Sequence, residues 1–184
     1  MRRIEIPLRG VCLIEPNVFC DERGFFFESY HEAKYADLGI VDRFVQDNHS
    51  RSERGTLRGL HYQHKRPQAK LCRVVQGEVL DVIVDIRRGS PDFGRHEAVV
   101  LSDANRLQLY VPPGFAHGYL VLSDTAEFLY KCSDFYFPEW DRGIAWNDPE
   151  IDIRWGLDDP ILSEKDRRHP NLAEVPPLEL PSFD

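Results

Sequence analysis

Leu80-Asp81-Val82-Ile83-Val84-Asp85-Ile86 is the stretch on which the fold class turns. Its even positions are all apolar, while its odd positions include Asp81 and Asp85. That period of two marks a strand with one face in a core. The two aspartates are expected on the other face, solvated or paired across the sheet. Leu107, Leu109 and Val111 alternate in the same way with Arg106, Gln108 and Tyr110. Further strands are expected at 10–14, 25–30, 43–49, 57–63, 70–76, 97–101, 117–122 and 126–135, separated by turn signals such as Gln76-Gly77, Arg88-Gly89-Ser90-Pro91, Pro112-Pro113-Gly114 and Ser123-Asp124. Helix is scarce: one is expected over 31–38, ending at Gly39, and another starts at Ser163, with Glu164 to Arg168 in its first turns. Many short strands with near-regular turns indicate an all-β, double-sheet jelly roll. No repeat or interior linker divides the chain, so residues 1–184 are read as one domain. Pro176, Pro177 and Pro181 mark 174–184 as an extended C-terminal tail.

With 184 residues, 42% hydrophobic and 29% charged, the chain can bury a core without disulfides. Its 23 Lys plus Arg against 31 Asp plus Glu give a net charge of -8, which argues against non-specific nucleic-acid binding but leaves room for a local basic cluster around an anionic ligand. No apolar run is long enough to span a bilayer. The basic start Met1-Arg2-Arg3 is followed by no apolar segment of the signal-peptide kind. Cys12, Cys20, Cys72 and Cys132 form no C-x-x-C pair and are read as reduced thiols of a cytoplasmic protein.

Two segments carry chemistry. Gly55-Thr56-Leu57-Arg58-Gly59-Leu60-His61-Tyr62-Gln63 has the G-x5-H start of a cupin motif, and Pro112-Pro113-Gly114-Phe115-Ala116-His117-Gly118 resembles the second, P-x-G-x-x-H, motif. The likeness implies a cupin-type double-stranded β-helix with a few short peripheral helices. In metal-binding cupins the first motif supplies a second His and a Glu. Here those positions are Gln63 and Lys70. A protonated Lys cannot coordinate a divalent metal and repels it. The chain is therefore read as needing no metal and no cofactor, with the Lys70 ammonium supplying the positive charge.

Taken with Asp21-Glu22-Arg23-Gly24-Phe25-Phe26, Gln46-Asp47-Asn48-His49-Ser50, Gln68-Ala69-Lys70-Leu71, Tyr130-Lys131 and Leu162-Ser163-Glu164-Lys165-Asp166, these motifs identify a resemblance that covers nearly the whole chain, to dTDP-4-dehydrorhamnose 3,5-epimerases. The resemblance implies cofactor-free inversion at C3 and C5 of a dTDP-linked 4-keto-6-deoxy sugar. It implies His61 as base, Tyr130 as acid on the opposite face, Lys70 as stabiliser of the enolate and Asp166 as the partner of His61. Arg23, Arg58, His117 and Lys165 match positions on the nucleotide or diphosphate side. Glu28, Gln46 and Asn48 match other ligand contacts, and Tyr136 an aromatic that stacks on thymine. Asp141 stands where the family usually has Glu, a methylene shorter in reach. The family also implies a homodimer formed by exchange of N-terminal strands, for which Phe25, Phe26 and Phe27 suit a buried edge.

On pattern alone each residue has a plainer reading. Tyr130 shares a strand face with Phe128 and Cys132, as a core tyrosine would. Ser163-x-x-Asp166 resembles a capping box. Lys70 fits a solvated strand position, His117 a loop histidine, Arg23 and Arg58 an ordinary surface, and Tyr136 the cover of a barrel mouth. His31, His49, His64, His96 and His169 receive no role. Rival functions are a single-carbon epimerase of a related sugar, a metal-dependent cupin enzyme and a silent nucleotide-sugar binding module.

Overall fold

The computed structural model describes residues 1–183; Asp184, the last position of the expected tail, lies outside the described residues. Among the described residues, thirteen strands and one short α-helix occur in the order β1 (Arg2–Glu5), β2 (Cys12–Glu15), β3 (Phe19–Asp21), β4 (Gly24–Phe26), α1 (Glu32–Asp37), β5 (Gln46–Glu53), β6 (Leu57–Gln63), β7 (Lys70–Gln76), β8 (Glu78–Asp85), β9 (His96–Ser102), β10 (Gln108–Val111), β11 (Phe115–Val121), β12 (Thr125–Cys132) and β13 (Asp141–Gly143). One antiparallel sheet has the order β1-β2-β10-β7-β12-β5, and a second has β13-β6-β11-β8-β9. β3 and β4 form a separate hairpin. The two large sheets face each other across an inner core in which Cys72, Val74 and Phe128 of the first meet Val79, Ile83, Phe115 and Tyr119 of the second. The Phe128 and Tyr119 rings stack at 4.2 Å across that gap.

The alternation in β8 is real, but both of its faces are buried. Val79 and Ile83 enter the inner core, whereas Val82, Val84 and Ile86 point outward. There they meet Ile144, Ile151, Trp155, Leu172 and Val175 of the segment that follows β13. Asp81 and Asp85 are therefore not solvated: both are fully buried. Asp81 is paired across the sheet with His117. Asp85 is bound by Arg87 and by the Ser90 hydroxyl at 2.7 Å. β10 shows the same pattern. Its expected polar face is closed by the α1 segment, where the Tyr35 hydroxyl donates to Gln108 at 2.7 Å. Each sheet thus carries a non-strand cover over its outer face. Full burial of one large apolar side chain is worth about 1.5–3 kcal/mol, so these covers are substantial parts of the fold.

The expected second helix is reduced to a 3-10 turn at Asp166–Arg168. Ser163 Oγ accepts the Asp166 N–H at 3.1 Å, as a cap would, but the Asp166 carboxylate turns away to another partner and completes no box. The C-terminal tail is not simply extended. Pro177 opens a 3-10 turn at Pro177–Glu179, since proline suits the first position of a helical turn. Ser182 then lies alongside Arg88 in a parallel bridge.

β6 and β11 approach so closely that only glycine fits between them. A Cβ on Gly59 (φ +127°) would lie 2.5 Å from Gly118 Cα, and one on Gly118 would lie 2.6 Å from the Arg58 carbonyl oxygen. Gly59→Ala is expected to lower stability by more than about 2 kcal/mol, read as a fall in the urea midpoint with unchanged slope.

Candidate active site

A cavity of about 650 Å³ opens between the two sheets. Its walls come from facing layers: β6 supplies Arg58 and His61, while β12 and β7 supply Tyr130 and Lys70. Gln46, Asn48, His117, Tyr136, Asp141, Lys165 and Asp166 complete the expected set around it. Only Arg23 and Glu28 lie elsewhere. Arg23 is paired with Asp21 on the exposed β3–β4 hairpin, and Glu28 is paired with Lys34.

The centre of the site is His61, whose Nε2 lies 2.6 Å from Asp166 Oδ1. A carboxylate accepts only, so Nε2 carries the proton and Nδ1 is left as the basic nitrogen. Burial pushes the His61 pKa below its ordinary value, opposed by Asp166 and assisted by the nearby cations Lys165 and Lys70. The ring is thus neutral near pH 7. Asp166 is delivered from the C-terminal segment, which is pinned to β6 by Leu57 N–H to the Ile161 carbonyl (3.0 Å) and by Ile161 N–H to the Gly55 carbonyl (2.8 Å).

Tyr130 stands on the opposite sheet. Burial pushes its phenol well above the usual range, and Arg58 draws it back only in part. It holds its proton throughout the physiological range and can give it up only to a stronger base, such as an enolate carbon. Lys70 begins β7 opposite Cys132. Neither Lys70 nor Arg58 makes an ion pair among the described residues, and the hydrogen bond of Arg58 runs to the Ser52 hydroxyl at 3.0 Å. Two free cations in one cavity of a net acidic chain fit an anionic ligand.

The rim is a hydrogen-bonded chain. Lys165 and the Tyr136 hydroxyl both donate to Asp141 Oδ2, the latter at 2.8 Å. Tyr136 N–H donates to Gln46 Oε1 at 2.9 Å, and Gln46 Nε2 donates to Asn48 Oδ1 at 3.1 Å. Asp141 therefore acts here by holding Tyr136 and Lys165 together, a task its shorter side chain accomplishes directly.

Two residues received no site role from the sequence, and the plainer reading of a third does not hold. His117, expected among the ligand contacts and at the start of a strand, is no loop histidine: it lies buried in β11, 2.7 Å from Asp81 Oδ1. Asp81 itself lies fully buried behind His117, and burial pushes its carboxyl up against the pull of His117 and Lys70. Its position two residues out of register with His117 on the paired strand could have signalled the contact, had that pairing been known. Gln63 is buried at the edge, accepting the Phe137 N–H at 2.6 Å and donating to the Arg66 and Phe135 carbonyls. Its amide shapes the mouth loop. Two groups place donor atoms within 4.8 Å of one another as a metal would require: His61, Asp166 and His169, and Cys72, Asp81 and His117. The Lys70 charge acts on both Cys72 and Asp81 in the second group.

Comparison with known proteins agrees with this geometry. The family described as dTDP-4-dehydrorhamnose 3,5-epimerase matches residues 5–174. A Pseudomonas aeruginosa dTDP-4-dehydrorhamnose 3,5-epimerase is 54% identical over 177 residues, 95% of this chain and 98% of the relative. A relative of the same name from Methanothermobacter thermautotrophicus is 51% identical over 178 residues, covering 95% of this chain and 96% of its own. Among solved structures, the Legionella pneumophila dTDP-6-deoxy-D-glucose-3,5-epimerase in complex with dTDP-4-keto-L-rhamnose superposes with a TM-score of 0.97 at 48% identity, covering 100% of this chain and 98% of that one. With its jelly roll, its imidazole and phenol on facing walls of one cavity, and matches along almost its entire length, the chain belongs to the dTDP-4-dehydrorhamnose 3,5-epimerase family.

Proposed function

We propose that His61, Tyr130, Lys70 and Asp166 carry out the family's reaction: isomerisation of dTDP-4-keto-6-deoxy-D-glucose to dTDP-4-keto-L-rhamnose by inversion at C3 and C5. The observation that carries this reading is the placement of an Asp-paired imidazole and a protonated phenol on opposite walls of one cavity, with the Lys70 ammonium, unpaired among the described residues, on β7 in the same sheet as the phenol.

The chemistry follows from the substrate. C3 and C5 both flank the C4 ketone, so each proton leaves as an enolate forms. His61 Nδ1 takes that proton on one face, the Lys70 ammonium stabilises the developing O4 oxyanion, and Tyr130 gives a proton to the other face. One proton leaves and one arrives at each carbon, so composition is unchanged and solvent resets both groups. General acid–base catalysis supplies about 10²–10⁴-fold and one oxyanion donor about 10²–10³-fold. Arg58, Lys165 and His117 serve the nucleotide or diphosphate side, Gln46 and Asn48 make further ligand contacts, and Tyr136 stacks on the base at the rim.

Arg23 and Glu28 complete the site from a second copy. They lie outside their own cavity, on and beside a hairpin that exposes Phe19, Phe25 and Phe26. A homodimer formed by exchange of this N-terminal region buries those rings and brings both residues to the partner's cavity. The protein works as one domain in the cytoplasm, where Cys12, Cys72 and Cys132 remain as buried free thiols.

Incubation with dTDP-4-keto-6-deoxyglucose in heavy water, followed by NMR, tests the reaction. Deuterium is expected at both C3 and C5, and His61→Ala abolishes it. Tyr130→Phe is expected to lose about 10²–10⁴-fold in inversion while retaining exchange of the proton that His61 removes. Incorporation at one carbon alone would replace the reading with a single-site epimerase, and tight binding without exchange would leave a binding module.

Asp166→Asn removes the group that raises the His61 pKa. The acidic limb of kcat/KM is expected to move to lower pH, and kcat to fall about 10²–10⁴-fold. An acidic limb that stays in place would remove Asp166 from this role.

The dimer is tested by Phe25→Asp combined with Phe26→Asp. Analytical ultracentrifugation is expected to show monomers, and KM to rise with the loss of Arg23 and Glu28 from the partner site. A dimer with unchanged KM would refute the exchange.

A further inference from the structure

His169 takes no part in the mechanism above, yet it points at its centre. We propose that His169 is a positioning residue for the base: it shares the Asp166 Oδ1 oxygen with His61 and holds down the basicity of that imidazole. The inference rests on His61 being the base.

The geometry is specific. His61 Nε2 lies 2.6 Å from Asp166 Oδ1, and His169 Nε2 lies 3.5 Å from the same oxygen. The two rings meet edge to face, with centroids 5.6 Å apart and planes at 74°. His169 Nε2 is buried and makes no hydrogen bond among the described residues, so the Asp166 oxygen is the acceptor toward which it is drawn. The slot is fitted to the ring. A Cβ on Gly143 would fall 2.4 Å from His169 Nε2, and Gly143 is the residue paired with His61 in the β13–β6 ladder. The strand that carries the base is thus joined to one that leaves room for the second imidazole.

A carboxylate oxygen serving two donors gives less of its charge to each. Burial pushes the Asp166 carboxyl up, but the neighbouring His169 and His61 imidazoles and the Ser163 hydroxyl outweigh it and hold it well below the usual range. The charge that would raise the His61 pKa is therefore divided. Other groups around the pair are matched locally. On β13, Asp141 pairs with Lys165, and Arg142 with Glu179. Beside Asp166, Arg168 pairs with Glu164. Tyr62 faces the ring from β6 with a buried, unpartnered hydroxyl. Lys70 acts on His61 from β7.

The test is an NMR titration of the histidine side chains in the full chain, run beside pH profiles of kcat/KM. In His169→Phe, which fills the slot without an N–H, the His61 pKa is expected to rise by about 0.5, and the acidic limb to move with it. His169→Gln places an amide N–H in the same region and is expected to restore the wild-type limb. A ring that merely fills space would leave His61 unmoved in His169→Phe, which would overturn the proposal. A His61 shift seen by NMR that the kinetic limb ignores would overturn the base assignment of His61, and the positioning role with it.

Discussion

The contact between His61 and Asp166 spans 105 residues and joins a strand to a segment with almost no regular structure. Its geometry is only as good as the packing of that segment. Trp155, Leu172, Val175 and Leu180 are buried on the outer face of the β6-containing sheet, and a parallel bridge at Thr56 and Ile161 fixes the register of the chain just before Asp166. The apolar cover over the sheet therefore does two things. It removes the outer face of β8 from water, and it places a carboxylate against an imidazole to within hydrogen-bonding distance. A hydrogen bond of this kind contributes little net stability, so apolar burial must hold the donor and acceptor in place rather than the reverse.

The same covers explain what the sequence could and could not disclose. Strand existence was legible because period-two alternation is local: 57–63 and 70–76 coincide with β6 and β7. Alternation left open whether the polar face of a strand is solvated or paired across the sheet, and that choice it could not make. Asp81, Asp85 and Gln108 look like solvent-facing residues, but each is buried beneath or between layers and bound by a specific partner. A polar residue at odd spacing records that a hydrogen bond exists and not whether water makes it. Only the tertiary arrangement names the partner, and in these cases the partners are a strand neighbour, a turn serine and a helix tyrosine.

Within the site, residues on β5, β6, β7 and β12 were legible through the family resemblance, and the fold brings them to one cavity. His169 was not, because nothing in Arg167-Arg168-His169-Pro170 sets it apart from a surface run. Its meaning lies in Gly143, 26 positions earlier, whose missing side chain leaves the slot. Arg23 and Glu28 belong to a different category: resemblance marks them as ligand contacts, but a single chain does not bring them to its own cavity.

The charge in this cavity also bears on why a cationic side chain serves it. The buried donors Cys72, Asp81 and His117, of which His117 lines the cavity, lie close enough together to bind a metal. To do so, Cys72 would have to lose its proton and Asp81 would have to give up its bond to His117. Burial opposes the first change, pushing the Cys72 thiol well above its ordinary range. The 2.7 Å contact between Asp81 and His117 opposes the second. A lysine needs neither change. Its ammonium enters the cavity on β7 as a single charge on a flexible stem, with three donors for an oxyanion and no demand for deprotonated ligands. On the proposed assignment, enolate stabilisation at one oxygen requires that much positive charge, and β7 carries it in the sheet of the proposed acid Tyr130, facing the proposed base His61 on the other sheet.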